Sequence, residues 1–158
     1  YDYQFGNLPL FVPPGHALLM TLGVLVRPYV TPRHVGLVAA GTAGWAAWVA
    51  WRGTDEFGAA LALLFLACTA LSRGRDLYAA MLLLALAMEL YGTALGNWMW
   101  RPLVPGTGWH AANPPFAAGA FYALLDLLVL AIVVPRAREP DASFPRSADT
   151  PTSLGAAS

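Results

Sequence analysis

The feature that most constrains this chain is a series of five apolar stretches separated by short polar links. They cover residues 8–29, 34–51, 57–71, 77–95 and 115–134. Of the 158 residues, 58% are hydrophobic and only 11% are charged. A water-soluble domain carries about 25% charged residues. A chain so short of charge cannot cover a water-facing surface, so lipid is the expected solvent for most of it. A segment in lipid must satisfy its own backbone N–H and C=O groups, which leaves helices or closed barrels. The length of the stretches and their richness in Ala and Leu select helix. About 20 residues are needed to cross the hydrocarbon, so the shorter stretches need flanking residues or local thinning of the bilayer. The expectation is an all-α membrane protein: a bundle of about five transmembrane helices over residues 1–135. The first helix is expected to begin near Pro14, where a missing N–H costs nothing.

Residues 136–158 differ from the rest. They are polar, rich in Pro, Ser, Thr and Ala, and nearly free of large apolar side chains. Such a segment cannot bury enough surface to fold and is expected to be a disordered tail. Arginine placement orients the bundle. Arg27, Arg33, Arg73, Arg75, Arg136, Arg138 and Arg146 fall on one side, Arg52 and Arg101 on the other. Seven against two is a positive-inside bias. It places the tail in the cytoplasm, and residues 1–13 and the 96–114 loop outside. The Arg-only, Ala/Gly/Pro-rich composition suggests a bacterial source, and hence the bacterial inner membrane.

Composition also excludes chemistry. The net charge is zero, with nine Arg, no Lys and nine acids, which offers no nucleic-acid surface. Without Lys there is no retinal Schiff base, pyridoxal-phosphate lysine or P-loop lysine. The single Cys68 excludes an intramolecular disulfide and a Cys-ligated cluster. No HExxH or HxH spacing is present for a metal, and no GxSxG for a nucleophile. No cofactor can be named from the residues.

Two segments resemble each other. Tyr1-x-x-x-Phe5-Gly6-Asn7 matches Tyr91-x-x-x-Leu95-Gly96-Asn97 at an offset of 90, and Pro13-Pro14 matches Pro114-Pro115 at an offset of 101. The second copy then carries about 11 extra loop residues. An offset of four helices preserves orientation, so the reading is a parallel internal repeat, with chance as its competitor. A repeat would imply that a helix equivalent to residues 77–95 precedes Tyr1, and that the chain is the downstream part of a longer protein.

A few polar residues should not face lipid. Glu89 lies inside the fourth stretch, and Gly92 and Gly96 share its helix face, where another helix could approach closely. It reads either as a Glu hydrogen-bonded across that seam or paired with Arg101, or as a proton donor. Asp126 lies midway along the fifth stretch, on a face with Gly119 and Tyr122. His16 opens the first helix. Asn97, Trp98, Trp100, Arg101, His110 and Asn113 belong to the outer loop. By topology these groups converge on the outer half, which suggests one polar pocket open to that side. Within it, Glu89 and Asp126 are candidate catalytic acids. His16, Asn97, Trp98, Trp100, Arg101, His110, Asn113 and Tyr122 are candidate ligand contacts. Each also has a bland reading: interfacial aromatics for the tryptophans, helix capping for His16, solvation for His110.

The run Glu89-Leu90-Tyr91-Gly92-Thr93-Ala94-Leu95-Gly96-Asn97-Trp98-Met99-Trp100, followed by a proline-containing apolar segment, resembles bacterial carotenoid-biosynthesis membrane proteins of the carotenoid-hydratase type. The Pro-rich entry Leu8-Pro9-Leu10-Phe11-Val12-Pro13 adds to the resemblance, which covers about a third of the chain. It implies Glu89 as the acid and a long isoprenoid as the substrate class.

Three functions follow as expectations. The first is an enzyme that protonates a double bond of an isoprenoid or other lipid with a carboxylic acid. The second is a proton-coupled transporter in which the same carboxyls titrate. The third is a non-catalytic lipid-binding subunit, alone, as a homo-oligomer or within a membrane complex.

Overall fold

The computed structural model describes residues 2–3 and 12–136. Within them the chain forms five α-helices: α1 (Val12–Val26), α2 (Pro32–Arg52), α3 (Glu56–Leu71), α4 (Arg75–Ala94) and α5 (Ala120–Arg136). A 3-10 turn, Arg27–Tyr29, closes α1. Two short strands, β1 (Asp2–Tyr3) and β2 (Trp98–Met99), pair antiparallel.

Local chemistry sets the helix ends. Thr31 and His34 form a reciprocal cap on α2: the Thr31 side chain takes the His34 N–H, and the His34 ring takes the Thr31 N–H. His34 is thus a capping residue. Gly53 ends α2 at φ 62°, a conformation other residues rarely adopt. Asp55 caps α3 by accepting the Gly58 N–H at 3.0 Å. At the far end of α4, Gly96 is left-handed at φ 71° and Asn97 donates its N–H back to the Gly92 carbonyl at 3.0 Å. That turn reverses the chain and sends β2 back along α4.

Helices α3 and α4 form the centre. Both α2 and α5 pack against this pair, and α1 packs along α4. The main core gathers Val49, Ala62, Phe65, Tyr78, Leu82 and Ala120, all buried. A second cluster joins Leu19 of α1 to Leu77, Met81 and Ala85 of α4, with Tyr122 of α5 against it. Glycines allow the closest approaches. A Cβ on Gly23 would strike the Met81 sulfur, and one on Gly119 would lie 2.9 Å from the Leu82 Cα. Polar side-chain contacts tie the two ends of the bundle. Arg27 meets Asp76 at 2.7 Å at one end; at the other, Arg101 meets Asp2 and His110 meets Glu56, each at 3.0 Å.

Five helices form where five apolar stretches occur, and their bounds agree within a few residues except for the fifth. Residues 115–119 form tight turns, with Ala118 donating to the Pro115 carbonyl and Ala120 to that of Ala117. The helix begins only at Ala120. Consecutive prolines lack N–H groups and bias the preceding residues away from helix. Asp55 then captures the Phe116 N–H at 3.1 Å. Gly119, seated on the Leu82 backbone, places the start of α5 beside the middle of α4.

Among the described residues, Arg75–Ala94 is the one helix long and apolar enough to cross a membrane; α3 and the Ala120–Val129 part of α5 are apolar but shorter. The matching segments of the apparent repeat adopt different backbones where they are described. Asp2–Tyr3 is extended, whereas the corresponding Gly92 and Thr93 are helical. Residues 4–11 of the first copy lie outside the described residues, as do residues 137–158 of the expected tail; Arg136 is the last residue of α5.

Candidate functional site

The site is built on the outgoing end of α4. Glu89 is 3% exposed. Its Oε2 accepts two hydrogen bonds of 2.9 Å, one from the Trp98 indole N–H and one from that of Trp100. The backbone explains why both indoles arrive together. In an extended segment side chains alternate, so residues 98 and 100 point the same way and Met99 the opposite way. Met99 is accordingly exposed. The Gly96 turn folds this segment back. Gly92, one helical turn beyond Glu89, leaves room for the Trp98 ring, which a Cβ there would penetrate. The expected partner across Gly92 was another helix; the structure puts an indole there instead. Gly96 serves as the left-handed helix terminator, with open space around it.

Trp100 is held from a second side. Its backbone N–H donates to the Asn113 side chain at 2.9 Å, and its ring lies 6.2 Å from that of Phe57. Trp100 also lines a cavity of about 180 Å³ with Phe57, Arg101, Leu103, Val104, Pro105 and Ala111. The lining is mostly apolar, with Arg101 as its charged residue.

Arg101 does not pair with Glu89. Its guanidinium grips the Asp2 carboxylate with Nη2 and Nε donating at 3.0 and 3.2 Å, beside the β1–β2 pairing. The Arg101 hydrogen bond is the main influence holding the Asp2 carboxyl below its ordinary value of 3.8. His110 is likewise committed to structure rather than left solvated. Its N–H and ring Nδ1 meet the Glu56 carboxylate at 2.7 and 3.0 Å, and its carbonyl accepts the Phe57 N–H. Asn97 acts here through its backbone, in the α4 cap, and its side chain is exposed.

Asp55 and Glu56 are supports of this region that the sequence reading missed. Asp55 is 2% exposed and accepts three backbone N–H groups, from Gly58, Ala112 and Phe116, at 3.0–3.1 Å. It welds the 96–119 connection to the start of α3. The signal was available: an Asp immediately before an apolar run is an N-cap candidate, and its neighbour lies in the first helical turn.

His16 of α1 and Tyr122 of α5 meet away from the Glu89 hydrogen bonds. The His16 and Tyr122 rings stack at 4.8 Å with 15° between planes. Asp126, one turn further along α5, is 2% exposed. Its Oδ2 has no hydrogen-bond partner among the described residues. Among the described residues, hydrogen bonds join Glu89 with Trp98 and Trp100, Asp2 with Arg101, and Asp55 and Glu56 with the 110–116 segment, while His16 stacks on Tyr122. Among the described residues no cluster of three or more His, Cys, Asp or Glu side chains could hold a metal ion. No protein-family model, curated protein or solved structure matches this chain, so its geometry is the ground for any reading of function.

Proposed function

We propose that this chain is a polytopic protein of a bacterial inner membrane in which Glu89, oriented by Trp98 and Trp100, acts on an isoprenoid or other lipid by carboxylic-acid proton transfer. The observation that carries the reading is the pair of 2.9 Å indole hydrogen bonds converging on one buried Glu89 oxygen. A carboxyl buried in an apolar bundle needs a reason to be there. Two rigid donors fix its direction, which is what a positioned acid requires. The same indoles offer aromatic faces that can stabilise positive charge developing on a protonated polyene. The cavity beside Trp100 supplies an apolar place for part of a chain-like ligand.

Membrane embedding is supported by the outward faces of the helices. Leu18, Leu25, Leu37 and Leu63 are 62–70% exposed, and Trp51 and Leu71 more so. Large apolar side chains exposed on the outer sides of several helices are at home against acyl chains. The end carrying Arg27, Arg73, Arg75 and Asp76 faces the cytoplasm by its arginine excess, and the Glu89 cluster then sits toward the outer leaflet.

A second reading, a non-catalytic lipid-binding subunit, draws on the engagement of Arg101, His110 and Asn113 in contacts that shape the loop. One experiment separates the two. Wild type and Glu89→Gln are produced in a bacterial host making polyene isoprenoids, and membrane lipids are extracted. The enzyme reading expects a product present with wild type and lost with Glu89→Gln at equal yield of folded protein. Identical lipid profiles from wild type, Glu89→Gln and empty host would remove it and leave the binding role.

A further inference from the structure

Helices α2 and α4 leave a groove between them. Its first part, about 400 Å³, is walled by His34, Leu37 and Val38 of α2 and by Ala79, Ala80 and Leu83 of α4. Its second part, about 300 Å³, shares Leu37, Val38 and Leu83 and continues to Gly41, Thr42 and Phe116. Small side chains at Gly41, Ala79 and Ala80 leave the space, and the exposed Leu37 and Leu83 form the rims. The order of residues on α2 gives the groove a direction. Arg33, Leu37 and Gly41 recur every four residues, as do His34, Val38 and Thr42, so they are two adjacent rows on one helix face. From Arg33 to Thr42 the rows extend about 14 Å at 1.5 Å per residue. That is close to one leaflet, half of a hydrocarbon core of about 30 Å.

One end of this apolar groove is polar. The Thr31 backbone N–H donates to His34 Nδ1 at 3.1 Å. A ring nitrogen that accepts a hydrogen bond carries no hydrogen, so the His34 N–H is at Nε2, a donor at the groove mouth. Arg33 beside it is exposed, and no carboxylate among the described residues pairs with it. Its neighbours are engaged: Arg27 meets Asp76, and Arg75 Nε donates to the Ser72 carbonyl. A cation and an N–H donor at one end of an apolar trough suit an anionic head on a hydrocarbon chain. A packed helix, about 10 Å across, is too thick for a groove of this volume; a single acyl chain is not.

We propose that the α2–α4 groove seats one acyl chain of an anionic phospholipid of the cytoplasmic leaflet, with the phosphate held by Arg33 and His34 Nε2–H. The site rests on the membrane embedding proposed above and is separate from the acid chemistry of Glu89 at the other end of α4.

Photocrosslinking of the full chain in nanodiscs tests it. The probe is phosphatidylglycerol, or phosphatidylcholine as the zwitterionic comparison, with a diazirine midway along one acyl chain. Wild type is expected to be labelled within residues 34–42 and 79–86, several-fold more by phosphatidylglycerol. Arg33→Gln should cut that preference about fivefold, the worth of one arginine near a charged surface. Arg73→Gln removes an exposed charge from the same end but not from the groove, and should leave the preference intact. A Cβ at Gly41 meets nothing within 4 Å, so Gly41→Leu can fill the groove without a clash. It should cut labelling of both segments at least fivefold, whereas Gly44→Leu, also in open space, should not. Labelling elsewhere, equal labelling by the two lipids, or equal losses in Arg33→Gln and Arg73→Gln would overturn the proposal while leaving the embedding in place. Release of the chain from membranes by alkaline carbonate would overturn both. The site of labelling in wild type answers even if a variant does not fold.

Discussion

Glu89 and Asp126 are buried to nearly the same degree, at 3% and 2% exposure, yet they are treated in opposite ways. Glu89 receives two indole N–H groups on one oxygen, and Asp126 has an oxygen with no described donor. The difference lies in the chain around them. Glu89 is one turn before Gly92, followed by a left-handed Gly96 and an extended Trp-x-Trp that returns the loop to the helix. Asp126 sits within α5, one turn beyond Tyr122, whose ring stacks on His16 of α1. Burial alone therefore says little about what a carboxyl does; the supply of donors decides whether it is fixed in place. Asp55 completes the series. It is as buried as Asp126 and accepts three backbone N–H groups, a purely architectural use.

The largest effect should come from removing the architectural carboxyl. Asp55→Ala strands three N–H groups at the join between the loop and α3. A loss of about 3 kcal/mol or more is expected, since each hydrogen bond to a charged group is worth about 1.5–3 kcal/mol. Thermal unfolding followed by helix content would measure it, with proteolysis in residues 100–115 rising in parallel. A loss no larger than that of a surface substitution would remove Asp55 from the comparison.

Gly92→Ala comes next. A methyl group there collides with the Trp98 ring. Overpacking of this kind costs about 1–3 kcal/mol. It should also displace Trp98 from Glu89, seen as a change in tryptophan fluorescence larger than that of Gly15→Ala, where a Cβ meets nothing within 4 Å. Trp98→Phe keeps most of the ring but deletes one donor to Oε2. About 1–2 kcal/mol is expected from the lost hydrogen bond, and Trp100→Phe should give a similar value. Strongly unequal losses would mean that one indole alone positions the acid.

The smallest effect belongs to the Asp2–Arg101 contact, which is exposed on both sides. Its pH dependence has a definite sign. The folded-state value of Asp2 lies below 3.8, so the contact is fully present above that pH and is lost as pH falls through the lowered value. Loosening of residues 2–3, read by amide exchange at Asp2 and Tyr3, should begin only below about pH 4. Arg101→Gln should show the looser state at neutral pH with global unfolding nearly unchanged.

The helices were legible because apolar length is a strong signal. Residues 77–95 gave Arg75–Ala94, and residues 57–71 gave Glu56–Leu71. The fifth stretch was misplaced at its start because hydropathy is blind to what Pro114 and Pro115 do to the backbone and to the pull of Asp55 on Phe116. Glu89 stood out as a carboxyl in an apolar run. Its partners did not, since a Trp-x-Trp segment reads as interfacial unless the Gly96 reversal is known. Arg101 and His110 were grouped with Glu89 by topology alone, and each instead found a nearer acid. Those acids, Asp2 and Glu56, are distant in sequence, and no local pattern announces such pairings.

The central claim is that the Glu89 carboxyl is gripped by Trp98 and Trp100 together. Of the six tryptophans, two should give indole N–H resonances shifted downfield by a strong acceptor in ¹⁵N–¹H spectra of the full chain. Glu89→Gln is predicted to move both of those signals and leave the other four in place. If neither signal responds, or if only Trp98 or only Trp100 does, the shared grip on Glu89 does not exist.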